Sequence, residues 1–198
     1  MREVLAQLAV AWHTASWIEI VAAVLAILYL LLAIGQRRSC WVAAFTSSAL
    51  YVIVMFHARL YMESVLNAFY AAIAVYGWWQ WSRRSNEANR GVQRWPIGRH
   101  VFGFLGVVAC SLCSAYFLRR YTPAAWPFVD SMVTWSSAFA TYLVAVKVYE
   151  NWHWWLVIDS VAIFVYFRRE LYPTMLLFGV YLVMIGFGIR EWRRSLPA

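Results

Sequence analysis

Residues 60–83, LYMESVLNAFYAAIAVYGWWQWSR, decide the fold because they recur in diverged form at residues 171–194, LYPTMLLFGVYLVMIGFGIREWRR. The two stretches align without a gap at a constant offset of 111 residues, and the register extends back toward the N-terminus. A single register that holds a Leu-Tyr pair, a Gly and a Trp indicates an internal repeat. The aligned positions include Trp41 with Trp152, Leu60-Tyr61 with Leu171-Tyr172, Tyr70 with Tyr181, Gly77 with Gly188 and Trp81 with Trp192.

The composition around this repeat excludes an ordinary soluble domain. The 198 residues are 64% apolar and 13% charged, whereas soluble domains are typically about 45–50% apolar and about 25% charged. A net charge of +8 can indicate nucleic-acid binding, but here the basic residues lie in short clusters between apolar runs. That distribution is typical of membrane proteins, and we expect no nucleic-acid partner.

The apolar runs predict seven transmembrane helices, since one span takes about 20 apolar residues. A polar stretch, Ser82–Ile97, contains Gly91 and Pro96 and predicts the longest loop. The helices are expected at roughly 17–35, 41–57, 60–81, 98–118, 127–147, 152–167 and 171–190.

The repeat predicts how these helices are organised. A direct copy of three helices would be inverted in the membrane, but the second copy begins four helices later, so the fourth helix restores the orientation. We therefore predict an all-α membrane protein, one domain over 1–198, in a SWEET-like 3+1+3 parallel-repeat arrangement. Its parts are a first three-helix bundle at 17–81, a linker helix at 98–118 and a second bundle at 127–192.

The basic residues predict the orientation of the chain. With seven spans, six basic residues fall on one side, and the other, called here the arginine-rich side, collects eleven. The positive-inside rule places the arginine-rich side in the cytoplasm and the N-terminus outside. Its members are Arg37, Arg38, Arg83, Arg84, Arg90, Arg94, Arg99, Lys147, Arg190, Arg193 and Arg194.

Polar groups within the spans mark candidate binding positions, because hydrocarbon penalises a polar group that has no partner or cavity. Asp159 lies about eight residues into the sixth helix, roughly 12 Å deep. It can serve either as a helix-packing group or as a cavity carboxylate. Trp155 lies one turn earlier on the same face, and an aromatic ring beside a carboxylate suits a planar cation. Asn67 is a candidate on the third helix, and Gln80 lies roughly 20 Å further along it.

The predicted helices also contain two aromatic clusters and a pair of closely spaced cysteines. We interpret most rings of the clusters at 76–81 and 152–155 as interfacial, with one or two available to close a cavity. Cys110 and Cys113 read as small buried packing residues, because they lie in an apolar run without neighbouring metal ligands. No cofactor-binding motif is evident, and we expect none to be bound.

Several motifs together resemble the PnuC family of vitamin transporters over nearly the whole chain. The resemblance implies the 3+1+3 layout and facilitated diffusion of an unphosphorylated vitamin precursor across a bacterial inner membrane, with membrane lipid around a homotrimer. A separate cytoplasmic kinase would then trap the product for NAD biosynthesis. The motifs are W-I-E at 17–19, Y-G-W-W-Q-W at 76–81, F-V-D-S at 128–131, E-N-W-H-W-W at 150–155 and L-Y-P-T at 171–174.

The resemblance also implies which residues hold the substrate. Carried onto this chain, the aromatic and amide positions of the family are Trp152, Trp155, Asn67 and Gln80. Asp159 departs from the Asn that nicotinamide riboside carriers can have, so its carboxylate suits either nicotinamide riboside or cationic thiamine. The expected cargo is nicotinamide riboside, and the alternative is thiamine or riboflavin.

Two other classes of function stay open from the residues alone. A membrane enzyme would need convergent acid, base or metal ligands, and Asp159 has no evident second partner in the sequence, so we do not expect an enzyme. A structural or regulatory subunit would use its polar residues only for packing, and no small molecule would then raise its thermal stability.

Overall fold

The computed structural model describes residues 17–57, 61–84, 91–121, 126–168 and 172–197, and these ranges contain seven α-helices. Each predicted helix is present, with ends that differ from the prediction by at most four residues. The helices are α1 (Trp17–Ile34), α2 (Cys40–His57), α3 (Tyr61–Arg84), α4 (Ile97–Tyr121), α5 (Pro127–Ala145), α6 (Asn151–Arg168) and α7 (Tyr172–Arg194).

Two predicted helix ends need correction. The segment 82–84, expected to begin a loop, continues α3, and the Ser82 hydroxyl donates 2.6 Å to the carbonyl of Trp78 within the helix. No Gly or Pro interrupts the helix there. Lys147, expected in the fifth helix, lies beyond its end in a left-handed conformation, with φ of 53°.

Three helical segments in the described ranges are long and apolar enough to cross a membrane by length and composition alone. They are Cys40–His57, Ile97–Tyr121 and Thr174–Arg194. In α1 a shorter apolar segment, Ile20–Ile34, is present. Helices α3 and α6 carry more Trp and polar residues, which lower the average hydropathy although Trp suits the headgroup region.

Six of the seven helices pack in a closed ring. Consecutive helices touch within α1–α2–α3 and within α5–α6–α7, while α3 contacts α5 and α1 contacts α7. Helix α4 lies outside the ring and packs mainly on α5. It also meets α6, where the Trp154 indole lies 6.3 Å from the Phe104 ring between centroids and donates 3.4 Å to His100 Nδ1. Its outer face is therefore exposed, and the expectation that Cys110 and Cys113 are buried is wrong, because both lie on that exposed surface.

Two tryptophan–glycine contacts hold the ring helices together, one in each half of the chain. A Cβ added at Gly77 would lie 2.4 Å from the Trp41 ring, and one at Gly188 would lie 2.5 Å from the Trp152 ring. Only glycine permits an indole to approach the helix backbone this closely. Trp41 and Trp152 are each 1% exposed, so the largest side chains form the interior.

The clustered rings, most of which were expected at the membrane interface, divide into exposed and buried ones. Trp78 and Trp79 are exposed, and the guanidinium groups of Arg38 and Arg83 lie over them at 4.6 and 4.1 Å. Trp152 is buried, and so is Trp81, whose indole Nε1 donates 3.1 Å to the carbonyl of Ala145 on α5. A buried indole usually finds such a partner for its N–H, but the Nε1 atoms of Trp41 and Trp152 have none among the described residues.

The linkers that follow α1 and α5 have the same backbone structure, 111 residues apart. Gln36 and Lys147 both have positive φ, 52° and 53°. Equivalent backbone hydrogen bonds close each helix: Arg37 N to Leu32 O at 2.9 Å, and Val148 N to Leu143 O at 2.9 Å. This 6→1 pattern is the Schellman motif that ends many helices.

The segment 91–96 lies against the linker that follows α5. The Gln93 N–H donates to the Lys147 carbonyl at 2.9 Å, and the Tyr149 N–H donates to the Gln93 carbonyl at 2.8 Å. The Trp95 N–H donates 3.2 Å to the Glu150 carboxylate. At the same end, Gln36 Nε2 donates 2.8 Å to the Ser195 hydroxyl. Segments from both halves of the chain therefore meet on the arginine-rich side.

Candidate substrate-binding site

Helix α6 turns a polar and aromatic stripe toward the interior of the ring. Asp159 is 3% exposed, Trp152 is 1% exposed, and Trp155 is half-buried between them along the helix. These positions recur at intervals of three and four residues, the spacing of one helix face. The structure thus places the Asp159 carboxyl group inside the protein, on the same helix face as two indole rings.

Tyr181 of α7 lies near the Asp159 carboxyl, and Tyr51 of α2 lies near Tyr181. The Tyr181 hydroxyl on α7 lies within electrostatic range of both Asp159 and the Tyr51 hydroxyl on α2. Tyr51 belongs to the α1–α3 half, whereas Asp159 and Tyr181 belong to the α5–α7 half. The polar cluster therefore bridges the two halves, at positions well inside each of the three helices.

Asn67 and Gln80 lie on α3, at different heights. Asn67 is half-buried, and Tyr70, one turn further on, lies near the Tyr29 hydroxyl of α1. Gln80 is also half-buried, but its amide donates 2.7 Å to the Tyr76 hydroxyl. The Tyr76 ring stacks on Tyr142 of α5, with 6.2 Å between centroids. Gln80 thus belongs to the aromatic layer near the arginine-rich side.

Trp152 has two well-defined packing contacts. It fills the notch at Gly188, and it meets the Trp192 ring edge-on at 5.5 Å between centroids. Trp155 packs on the same cluster from the side, with part of its ring exposed. Of the two indoles, Trp155 has the more accessible face.

Several hydroxyl groups in the helices are satisfied within their own helix, as expected for packing residues, whereas the buried hydroxyls of Ser111 and Ser131 have no hydrogen-bond partner among the described residues. Thr46, Thr141 and Ser160 each donate to the carbonyl four residues earlier, at 2.9, 2.7 and 2.7 Å. Ser47 instead donates 2.8 Å to the Ala22 carbonyl and joins α2 to α1. The bonded side chains have no unsatisfied donor to offer a ligand.

The site therefore combines one carboxyl, phenol hydroxyls, an amide and indole faces. This set can accept and donate hydrogen bonds to sugar hydroxyls, and it can stack on a planar ring. Within the described ranges, no group of three or more His, Cys, Asp or Glu is placed to hold a metal ion. The chemistry suits recognition of a small polar aromatic molecule.

Sequence reasoning did not single out Tyr51 and Tyr181 as site residues. A signal for Tyr181 existed, because it is the repeat equivalent of Tyr70. Likewise, Asp159 is the repeat equivalent of Ser48, which is 9% exposed. A search for repeat-related positions that are polar in both copies would have identified the height in the helix bundle at which Asp159 and Tyr181 lie.

Comparison with known proteins places the chain among membrane transporters. It is similar to the nicotinamide riboside transporter PnuC of Escherichia coli, at 27% identity over 91% of this chain and 86% of the relative. It is also similar to the riboflavin/roseoflavin transporter RibM of Streptomyces davaonensis, at 25% identity over 89% of this chain and 84% of the relative.

The fold agrees with a solved structure of the same kind. The crystal structure of the vitamin B3 transporter PnuC superposes with a TM-score of 0.74 at 20% identity, covering 98% of this chain and 88% of that one. The family model described as nicotinamide mononucleotide transporter matches residues 16–194. The chain is therefore a multi-pass membrane protein and belongs to this family, the PnuC family of vitamin transporters.

Proposed function

We propose that the protein carries nicotinamide riboside across the bacterial inner membrane by facilitated diffusion. The observation that carries the proposal is the buried Asp159 carboxyl beside Trp155, at the meeting of two helix bundles in a chain of a transporter family. Nicotinamide riboside combines a flat cationic ring with ribose hydroxyls, and a carboxylate beside an indole suits both features. The name of the E. coli relative supports the same cargo.

The alternative cargo is another vitamin precursor. The RibM relative supports riboflavin, while the buried carboxylate favours a cation such as thiamine over a neutral ring system. Asp159 thus favours nicotinamide riboside or thiamine, and riboflavin ranks below both.

We assign five residues to the substrate site. Three of them contact the substrate, and the other two support the site. Asp159, Trp155 and Asn67 lie on the ring interior and contact the substrate directly. Trp152 supports Trp155 from the buried side, and Gln80 with Tyr76 forms the layer toward the arginine-rich side. The support is the shared face of Trp152, Trp155 and Asp159 on α6 and the Gln80–Tyr76 hydrogen bond.

The proposed architecture is two parallel three-helix bundles, α1–α3 and α5–α7, joined by α4. Repeat-equivalent features support it: α1 contacts α7 as α5 contacts α3, and both linkers share one hydrogen-bond pattern. The tryptophan–glycine pairs are equivalent as well. Transport then consists of the two bundles rocking about the substrate, with aromatic rings closing either side.

The environment of the chain follows from the same proposal. The arginine-rich side faces the cytoplasm and the N-terminus faces outside. The exposed outer face of α4 lies toward lipid or a neighbouring copy in a homotrimer. Net uptake comes from a separate kinase that phosphorylates the cargo in the cytoplasm, so carriage itself needs no energy source.

Uptake into proteoliposomes tests the cargo. Vesicles containing the purified protein should take up labelled nicotinamide riboside faster than empty vesicles, and unlabelled cargo should compete. Thiamine and riboflavin are measured in parallel under the same conditions. If nicotinamide riboside uptake equals that of empty vesicles while thiamine or riboflavin enters, the primary proposal is wrong and the alternative replaces it.

A further inference from the structure

A cleft opens on the arginine-rich side, away from the proposed transport site. It has a volume of about 500 Å³ and is lined by Arg94, Arg193, Leu196 and Pro197. Arg94 comes from the segment that precedes α4, and the other three come from the end of α7 and the residues after it. Two arginines from separate parts of the chain therefore line one space.

The walls of the cleft are held in place by defined contacts. Next to Arg94, Gln93 is bonded through both backbone groups to the linker after α5, and its side-chain Nε2 donates 2.9 Å to the Val146 carbonyl. The Arg94 guanidinium lies 5.3 Å from the centroid of the buried Tyr149 ring. Leu196 packs on the tryptophan core. These backbone contacts thus fix the segment that carries Arg94, while the side chains of Arg94 and Arg193 are both exposed to solvent.

The carboxylates of Glu150 and Glu191 have other partners. No Asp or Glu is among the lining residues, which all belong to the described ranges. Glu191 lies 3.6 Å from Arg194, and Glu150 accepts from the Trp95 N–H and lies 3.6 Å from His100. Among the described residues, the charged groups that line the cleft are therefore both cationic, which favours an anionic ligand.

The geometry points to a phosphate-binding site formed by Arg94 and Arg193, with Leu196 and Pro197 as an apolar floor for the rest of the ligand. Guanidinium groups match phosphate oxygens in a two-pronged arrangement, which distinguishes them from lysine. The volume exceeds that of a bare phosphate ion and leaves room for an attached organic group. The phosphate belongs either to a small soluble phosphate monoester or to a phospholipid headgroup, since both present the same anionic group.

Calorimetric titration of the detergent-purified full chain tests the site, and two ligands distinguish the sources. Phenyl phosphate represents a soluble monoester, with phenol as its uncharged control, and short-chain phosphatidylglycerol represents a lipid. Arg94→Gln and Arg193→Gln should each weaken binding about tenfold or more. Arg94→Lys keeps the charge but not the fork and should fall between. Arg120→Gln, the same charge change at the opposite end of α4, should leave affinity unchanged.

Each outcome is decisive. Binding of phenyl phosphate that is lost in the Arg94 and Arg193 variants establishes a soluble-phosphate site. Binding of phosphatidylglycerol alone, with the same losses, establishes a headgroup site. The inference is overturned if neither ligand binds, or if Arg120→Gln weakens binding as much as the cleft variants do. Because the readout is binding rather than uptake, its result is independent of the proposed transport function.

Discussion

The indole Nε1 of Trp192 donates a 3.0 Å hydrogen bond to the carbonyl oxygen of Ala33, which ties the last helix to the end of the first. The equivalent indole of Trp81 makes a 3.1 Å bond to Ala145, from α3 to α5. Each bond joins one half of the chain to the other, and both lie on the arginine-rich side. Opening that side by rocking the halves apart would require these bonds to lengthen or break.

Removing one such donor should destabilise the protein modestly. Trp192→Phe keeps an aromatic ring but deletes the N–H, and the free energy of unfolding should fall by about 1 kcal/mol. The measurement is thermal or denaturant unfolding in detergent. Trp17→Phe, at a ring that is 71% exposed, is the control and should change stability by less than about 0.5 kcal/mol. Equal effects at both positions would contradict the assigned role of the bond.

Adding one methyl group at Gly188 should be costly. The new Cβ would lie 2.5 Å from the Trp152 ring, so Gly188→Ala should cost about 1–3 kcal/mol through overpacking. Gly186→Ala on the same helix is the matched control, because a Cβ there meets nothing within 4 Å. The control should be neutral or stabilising, since alanine favours helix over glycine. Combining Gly188→Ala with Trp152→Leu should recover part of the loss, and an additive double variant would argue against the contact.

Asp159→Asn should change selectivity more than it changes folding. The amide keeps the size and hydrogen-bonding capacity of the side chain but removes its charge, so affinity for a cationic precursor should fall about three- to tenfold. Uptake of neutral riboflavin, if any, should be unaffected or improved. Ser160→Ala, at an exposed hydroxyl bonded to its own helix, is the control. An unchanged ratio of cationic to neutral uptake would remove Asp159 from the site.

Tyr181, which lies near Asp159, and Tyr51, which lies near Tyr181, should matter through their hydroxyl groups. Tyr181→Phe and Tyr51→Phe each remove a polar group from the cluster that joins the two halves, and each should weaken substrate binding about three- to tenfold. Substrate-induced thermal stabilisation measures this, because a ligand that binds only the folded state raises stability. Tyr116→Phe, on the outer face of α4 and 68% exposed, should behave like wild type. Full stabilisation in both site variants would place the substrate elsewhere.

Helix positions and the repeat followed from the sequence because apolar runs and fixed-offset matches are local signals. Burial of Trp81 and Trp152 did not, since an indole suits an interface and a core equally well. The pairing of each Trp with a Gly was nevertheless present in the aligned copies, at Gly77 and Gly188.

The remaining features depend on contacts between distant parts of the chain. Asp159 was recognisable as an intramembrane carboxyl, but the proximity of Tyr181 to Asp159, and of Tyr51 to Tyr181, is set by packing between helices. The pairing of Gln93 with the linker after α5 has no periodic pattern to reveal it, since two loop segments make it through backbone groups. The cleft lined by Arg94 and Arg193 depends on that pairing, so no periodic pattern in the sequence indicates it.

Counterflow in proteoliposomes tests the central claim of passive carriage most directly. Vesicles loaded with unlabelled nicotinamide riboside, without ATP or an ion gradient, are diluted into labelled nicotinamide riboside. Passive carriage through one site that serves the two sides alternately should produce a transient accumulation of label above its equilibrium level. Label that never exceeds the level in empty vesicles, or that accumulates only when an ion gradient is imposed, would contradict it.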